Sequence, residues 1–140
     1  MSKVFVNGTF DIIHPGHLEL LYFAKTLGDH LLVALDTDDR VSNLKGPSRP
    51  INNLYVRKTI MNSFKPVDRV AEFSTDKELE HIIKTYEPDV MIVGSDYKGK
   101  NVIGSKYAKK LVFFDRISKY SSTKVIEKIQ YEYSLCSSDM

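Results

Sequence analysis

Gly8-Thr9-Phe10-Asp11-Ile12-Ile13-His14-Pro15-Gly16-His17 follows the apolar run Val4-Phe5-Val6 and precedes a segment in which Leu18, Leu21, Tyr22 and Lys25 fall at helical spacing. The stretch reads as the hand-over from a strand to a helix. At a helix start the first backbone N–H groups lack intrahelical partners and the macrodipole favours an anion, so this junction is suited to hold a phosphate. His14 and His17 are three residues apart, a spacing that turns both rings toward one ligand on a first helical turn. Pro15 supplies a pre-set φ, and Gly16 brings no Cβ against an approaching phosphate.

Outward from this junction, short apolar runs rich in β-branched residues recur at 4–6, 31–35, 70–73, 90–93 and 111–114. They lack helical periodicity, as buried parallel strands do. Helical patterns lie between them, after Leu18 with Gly28 as its stop, then over 55–64, 79–86 and 125–129. This alternation predicts a doubly wound, Rossmann-like α/β fold with five parallel strands, the first near the centre, in a single domain over 1–133. Residues 134–140 read as a polar, poorly ordered tail. Ligands of such sheets bind beyond the carboxyl ends of the strands. The segments with chemistry all follow strand ends: 8–17 the first, 36 onward the second, 94–97 the fourth and 116–123 the fifth.

Composition narrows the function classes. A chain of 140 residues with 42% hydrophobic content supports one core, and 20 basic against 18 acidic residues give a net charge of +2, too even for nucleic acid as the main partner. One cysteine, Cys136, allows no internal disulfide. With neither a leader pattern nor a membrane-length apolar run, the expectation is a soluble, cytoplasmic protein that needs no membrane.

The run Gly8-Thr9-Phe10-Asp11 followed by His14-x-Gly16-His17 resembles the HxGH nucleotidyltransferases of the cytidylyltransferase-like family. Further segments keep that family's order: Leu44-Lys45-Gly46-Pro47-Ser48-Arg49-Pro50-Ile51, Arg57 on the next helix, Val93-Gly94-Ser95-Asp96-Tyr97, and Arg116 ahead of Ser121-Ser122-Thr123-Lys124. The resemblance implies catalytic roles for His14, His17 and Lys45, and phosphate contacts for Lys45 and Arg57. It places Gly8, Thr9, Phe10, Gly16, Asp96, Arg116, Ser121, Ser122 and Thr123 around the nucleotide. Plainer readings stand beside these: core packing for Phe10, a turn or capping carboxylate for Asp11, a solvated loop cation for Lys45, an exposed helical arginine at position 57, and helix capping for Ser121 to Thr123. No third histidine or cysteine cluster accompanies His14 and His17, which argues against a metal pair; Mg2+ is expected only as the companion of a triphosphate.

In nucleotidyl transfer a substrate phosphate attacks the α-phosphorus of a nucleoside triphosphate and expels pyrophosphate. Fixed donors for the developing charge are what such a step requires. The 44–51 and 93–97 segments look most like heptose 1-phosphate adenylyltransferases, whereas Arg116 resembles the glycerol-3-phosphate cytidylyltransferases. ATP with a heptose 1-phosphate is therefore the leading expectation and CTP with glycerol 3-phosphate the second, with a non-catalytic nucleotide-binding regulator as the reading from another class. Ile117, Lys119 and Tyr120 depart from the cytidylyltransferase pattern, Lys119 replacing a glycine near the base. A homodimer is expected because relatives usually are one.

Overall fold

The computed structural model describes residues 1–115 and 121–138, the last six of these as backbone. Five parallel strands, β1 (Lys3–Gly8), β2 (His30–Asp36), β3 (Arg69–Phe73), β4 (Val90–Gly94) and β5 (Lys110–Phe114), form one sheet in the order β3-β2-β1-β4-β5. The first strand is central, as expected. Helices α1 (Pro15–Thr26), α2 (Asp38–Lys45), α3 (Leu54–Asn62), α4 (Asp76–Tyr86) and α5 (Ser122–Ser138) complete the chain, with 3₁₀ turns at Ser95–Tyr97 and Ser105–Tyr107.

Residues 4–6 of β1 and 31–35 of β2 are apolar at every step because both faces of these strands are covered. Val4 and Val6 of β1 join Leu31, Val33 and Leu35 of β2 on one face, under Leu21 and Ala24 of α1 and Met61 of α3. Phe5 and Leu32 point the other way, against Leu79 and Ile83 of α4. Burial on the order of a Leu or Phe side chain is worth about 1.5–3 kcal/mol each, so this two-sided core fixes the register. Gly8 is aligned with Leu35 and Asp36 with Phe73. The chain runs from β1 to β2 and β3 on one side, then returns to β4 and β5 on the other, which puts the topological switch point beside β1.

Two readings of the sequence are corrected. The segment after β2 is helical as α2, so Lys45 is the last residue of a helix and not a loop residue; with Val41 its sole buried residue, α2 carries little apolar periodicity to announce it. Residues 134–138 belong to α5 and not to a tail, since no glycine or proline interrupts the chain after Pro88 and Gly104 to stop the helix. Gly28, expected as the stop of the first helix, does follow its end, one position beyond the C-cap residue Leu27. What calls for glycine there is closeness, because a Cβ would stand 2.7 Å from Val4 Cγ2 and 3.0 Å from the Ser2 carbonyl oxygen.

Candidate active site

β1 delivers the chain into a turn held by buried polar contacts. Phe10 has φ 50, a left-handed conformation rarely adopted by aromatic residues. Its ring is 6% exposed and belongs to the core on the α1 side of the sheet. Gly8 makes room for it, since a Cβ there would lie 2.9 Å from Phe10 Cε2. The core-packing reading of Phe10 is thus met, and the ring also stands 5.0 Å from that of His17. Asp11 is buried, and its carboxylate accepts the backbone N–H groups of Ile51 and Asn52, both at 2.8 Å, while Asn52 Nδ2 donates to the Asp11 carbonyl at 3.0 Å. The carboxylate therefore orders the connection that leads into α3.

His14 is the N-cap of α1. Its Nδ1 accepts the Gly16 N–H at 3.1 Å, and the His14 N–H donates to His17 Nδ1 at 3.3 Å. The two rings stack with centroids 3.8 Å apart and planes inclined by 23°. With Nδ1 of each ring accepting a backbone N–H, the neutral tautomer of both carries its proton on Nε2. The first turn differs from the expectation in one respect: the Gly16 N–H is spent on His14 and the His17 N–H on the His14 carbonyl at 3.0 Å. Donors for an anion here are accordingly the imidazoles more than the amides.

The N-terminus of α5 meets this turn. Ser122 Oγ donates to the Ile12 carbonyl at 2.6 Å, and Ser121 Oγ accepts the Lys124 N–H at 3.0 Å, a capping bond. Thr123 Oγ1 accepts from Arg49 Nη2 at 3.4 Å. Ser42 Oγ donates to the Arg49 carbonyl at 2.6 Å, so the connection after α2 is fixed beneath that side chain, and the Arg49-Pro50 peptide is cis. Lys45 is exposed at the end of α2, ahead of Gly46 with φ 105. Asp96 is exposed in the turn after β4, its Oδ1 folded back over Gly94, where a Cβ would be 2.6 Å away. Thr9 is partly buried. Arg116, with Ile117, Lys119 and Tyr120, lies outside the described residues.

Arg57 is not the exposed arginine of the plainer reading. It is 1% exposed, with Nε donating to the Asn52 carbonyl at 2.9 Å, Nη1 to the carbonyls of Thr9 at 3.0 Å and Asp36 at 2.8 Å, and Nη2 to Asp38 Oδ1 at 2.8 Å. Sequence reasoning marked the segment from 36 onward but gave neither Asp36 nor Arg40 a role. Asp36 is 8% exposed at the end of β2; burial pushes its carboxyl above the usual range, against the nearby Arg40, whose Nε lies 3.2 Å from Oδ2. Arg40 also pairs with Asp76 at 2.8 Å and lies over the Phe73 ring. An acid closing an apolar strand with an arginine four residues later is the signal that would have marked the pair. Two open clefts, of about 440 Å³ beside Thr37, Ser74 and His81 and about 320 Å³ beside Glu80 and Asn101, flank α4, and neither is lined by His14 or His17. Among the described residues no three His, Cys, Asp or Glu side chains are grouped to hold a metal ion.

The model of the cytidylyltransferase-like family matches residues 5–128. The chain is 46% identical over 127 residues to the bifunctional protein HldE of Helicobacter hepaticus, a match covering 91% of this chain and 26% of that protein. It is 44% identical to HldE of Sulfurimonas denitrificans with the same coverage. This chain thus spans about a quarter of the length of these curated relatives. Among solved structures, a lipopolysaccharide core biosynthesis protein from Thermoplasma volcanium superposes with a TM-score of 0.65 at 29% identity, over 86% of this chain and 99% of that one. A protein of unknown function from Archaeoglobus fulgidus, 16% identical with a TM-score of 0.60, shares the fold. No helix among the described residues is long and apolar enough to cross a membrane.

Proposed function

Because the chain belongs to the cytidylyltransferase-like family, whose model spans residues 5–128, we propose that it is a nucleotidyltransferase that moves the adenylyl group of ATP onto heptose 1-phosphate, giving ADP-heptose and pyrophosphate. The observation that carries this reading is the stacked pair of His14 and His17, each ring accepting a backbone N–H through Nδ1. An oxygen of the sugar phosphate attacks the α-phosphorus, a new P–O bond forms, and the bond to the β-phosphate breaks with its electron pair leaving on pyrophosphate. The acceptor phosphate, with a second pKa of about 6 by analogy with phosphoserine, is already ionised near neutral pH and needs no general base. Catalysis is then positioning plus charge stabilisation, for which prearranged N–H donors are the means.

Lys45, exposed at the end of α2, is assigned to a phosphate of substrate or triphosphate, Thr9 and Ser121 to Thr123 to the triphosphate, and Asp96 to the ribose or base. Mg2+ would come with the triphosphate, whose oxygens and water supply most of its ligands; no step above runs through it. A homodimer in the cytoplasm completes the reading. The sugar-phosphate acceptor is supported by the resemblance of the 44–51 and 93–97 segments and by the likeness to a protein of lipopolysaccharide core biosynthesis. Pyrophosphate release from a panel of nucleoside triphosphates and sugar or polyol phosphates tests it. ATP with heptose 1-phosphate is expected to be the fastest pair; faster turnover of CTP with glycerol 3-phosphate would replace this reading by the cytidylyltransferase one.

A further inference from the structure

Arg57 is a buried cation that the chemistry above leaves without work. Its side chain is fully buried, and Asp38, its ionic partner, is 45% exposed, so the pair is a poor source of stability. Three of its four hydrogen bonds go to carbonyl oxygens, of Thr9, Asp36 and Asn52, which belong to three separate segments: the turn after β1, the end of β2 and the lead-in to α3. We propose that Arg57 is a positioning residue for nucleotidyl transfer, which fixes the turn carrying His14 and His17 and does not itself touch a phosphate. The proposal rests on the function assigned above.

The Thr9 carbonyl is the acceptor that matters most. It belongs to the peptide immediately before Phe10, the residue held at φ 50. A conformation of this kind persists only where its surroundings over-determine it, and Arg57 Nη1 pins that peptide plane from outside the turn. One residue further, Asp11 is held by the N–H groups of Ile51 and Asn52. Asn52 joins the two clamps, because its carbonyl accepts from Arg57 while its amide groups serve Asp11. The histidine pair begins three residues beyond Asp11, and its ring geometry depends on how this turn enters α1. A planar guanidinium can reach several carbonyls in fixed directions at once; a lysine ammonium, a single point of charge on a flexible stem, cannot. With four of its five N–H groups engaged in this way and the residue only 1% exposed, the guanidinium faces the turn rather than an open phosphate site.

Arg57→Lys and Arg57→Ala, compared with the parent chain, test the proposal by kcat and KM from pyrophosphate release, ATP affinity by calorimetry, and two-dimensional NMR of ring-15N histidine. Both variants are expected to lose about 100-fold in kcat, the scale of a 1 Å misplacement, with ATP affinity little changed. The His14 and His17 ring signals should shift from the Nε2–H tautomer toward a mixture, and added methylguanidinium should partly restore kcat to Arg57→Ala. Should the alanine variant not fold, Arg57→Lys alone carries the test. Unchanged kcat with weakened ATP or acceptor binding would make Arg57 a phosphate ligand and overturn the proposal, as would unaltered histidine signals. If the parent transfers no nucleotide to any acceptor, the proposed function fails, while the histidine spectra still decide whether Arg57 sets the pair.

Discussion

The two ends of the sheet treat their charged residues in opposite ways. At the N-terminal ends of the strands, Asp89 accepts the Lys3 N–H at 2.7 Å, Asp68 the Leu31 N–H at 2.8 Å and Asp29 the Ser2 N–H at 3.1 Å. These carboxylates stay in reach of water and staple the strand starts. At the C-terminal ends, the chain buries Asp11, His14, Asp36 and Arg57, and among the described residues no other polar side chain is buried to that degree. Burying a polar group costs about 1–3 kcal/mol when its partners are lost. A fold that needed only stability would keep both ends like the first. That such groups gather at one end, beside the switch point, separates the end that holds the sheet together from the end that prepares a reaction.

The largest effect that could break this contrast is expected at the histidines. His14→Ala and His17→Ala should each reduce turnover by about 10²–10³, the usual consequence of removing one fixed donor to developing charge, and weaken nucleotide binding far less. His14 also caps α1, so its alanine variant should lose about 1 kcal/mol of stability as well. His14→Asn separates the two losses, because asparagine can accept the capping bond but cannot replace the Nε2–H. It is expected to unfold in urea like the parent and to remain slow. Full activity in either alanine variant, with the fold intact, would reduce this end of the sheet to another structural staple.

The sequence made the contrast legible at one end only. Five apolar runs disclosed the parallel strands, because two-sided burial leaves no polar alternation to confuse them, and the order of motifs after strand ends disclosed which edge carries the chemistry. The spacing of His14 and His17 implied two rings on one turn, and they stack there. What stayed hidden depends on contacts far apart in the chain. Arg57 has the local pattern of any helical arginine, and its burial follows from the carbonyls of Thr9 and Asp36, 48 and 21 residues away. The Gly16 amide looked available because a histidine is an unusual cap, and α2 escaped notice because so little of it is apolar.

A smaller effect is expected at Lys45, which differs from the buried cluster in being exposed at the end of α2. Lys45→Ala should leave stability within about 0.5 kcal/mol, as surface substitutions generally do. The apparent affinity for acceptor or triphosphate should fall about tenfold, equivalent to 1.4 kcal/mol, and the deficit should shrink as ionic strength rises and screens the lysine in the parent. Kinetic constants measured at two salt concentrations check both statements. Unchanged constants at low salt would return Lys45 to the solvated surface and leave the buried groups as the whole of the site.

The smallest effects are read against pH and give the contrast its sign, with the exposed Asp68 contributing under about 1 kcal/mol. Asp68 has a carboxyl below its ordinary 3.8: partial burial would raise it, but the hydrogen bonds from Lys25 and the Leu31 N–H outweigh that. The unfolded chain then binds the proton first, so Asp68 contributes stability that is complete above pH 3.8 and lost as pH falls through its lower folded value. Asp36 does the reverse. Its carboxyl is raised above 3.8 by burial, the folded chain takes the proton first, and the penalty of the ionised form is relieved as pH falls through that raised value toward 3.8. Urea unfolding between pH 7 and pH 2.5 should therefore show Asp68→Asn losing less stability on acidification than the parent, with the difference confined below pH 3.8. Asp36→Asn should lose more than the parent, with the difference arising above pH 3.8. The two variants act at opposite ends of adjacent strands and are compared as slopes against pH, so any constant cost of either substitution cancels. Slopes of the same sign would mean that the carboxylates at the two ends of the sheet meet the same environment.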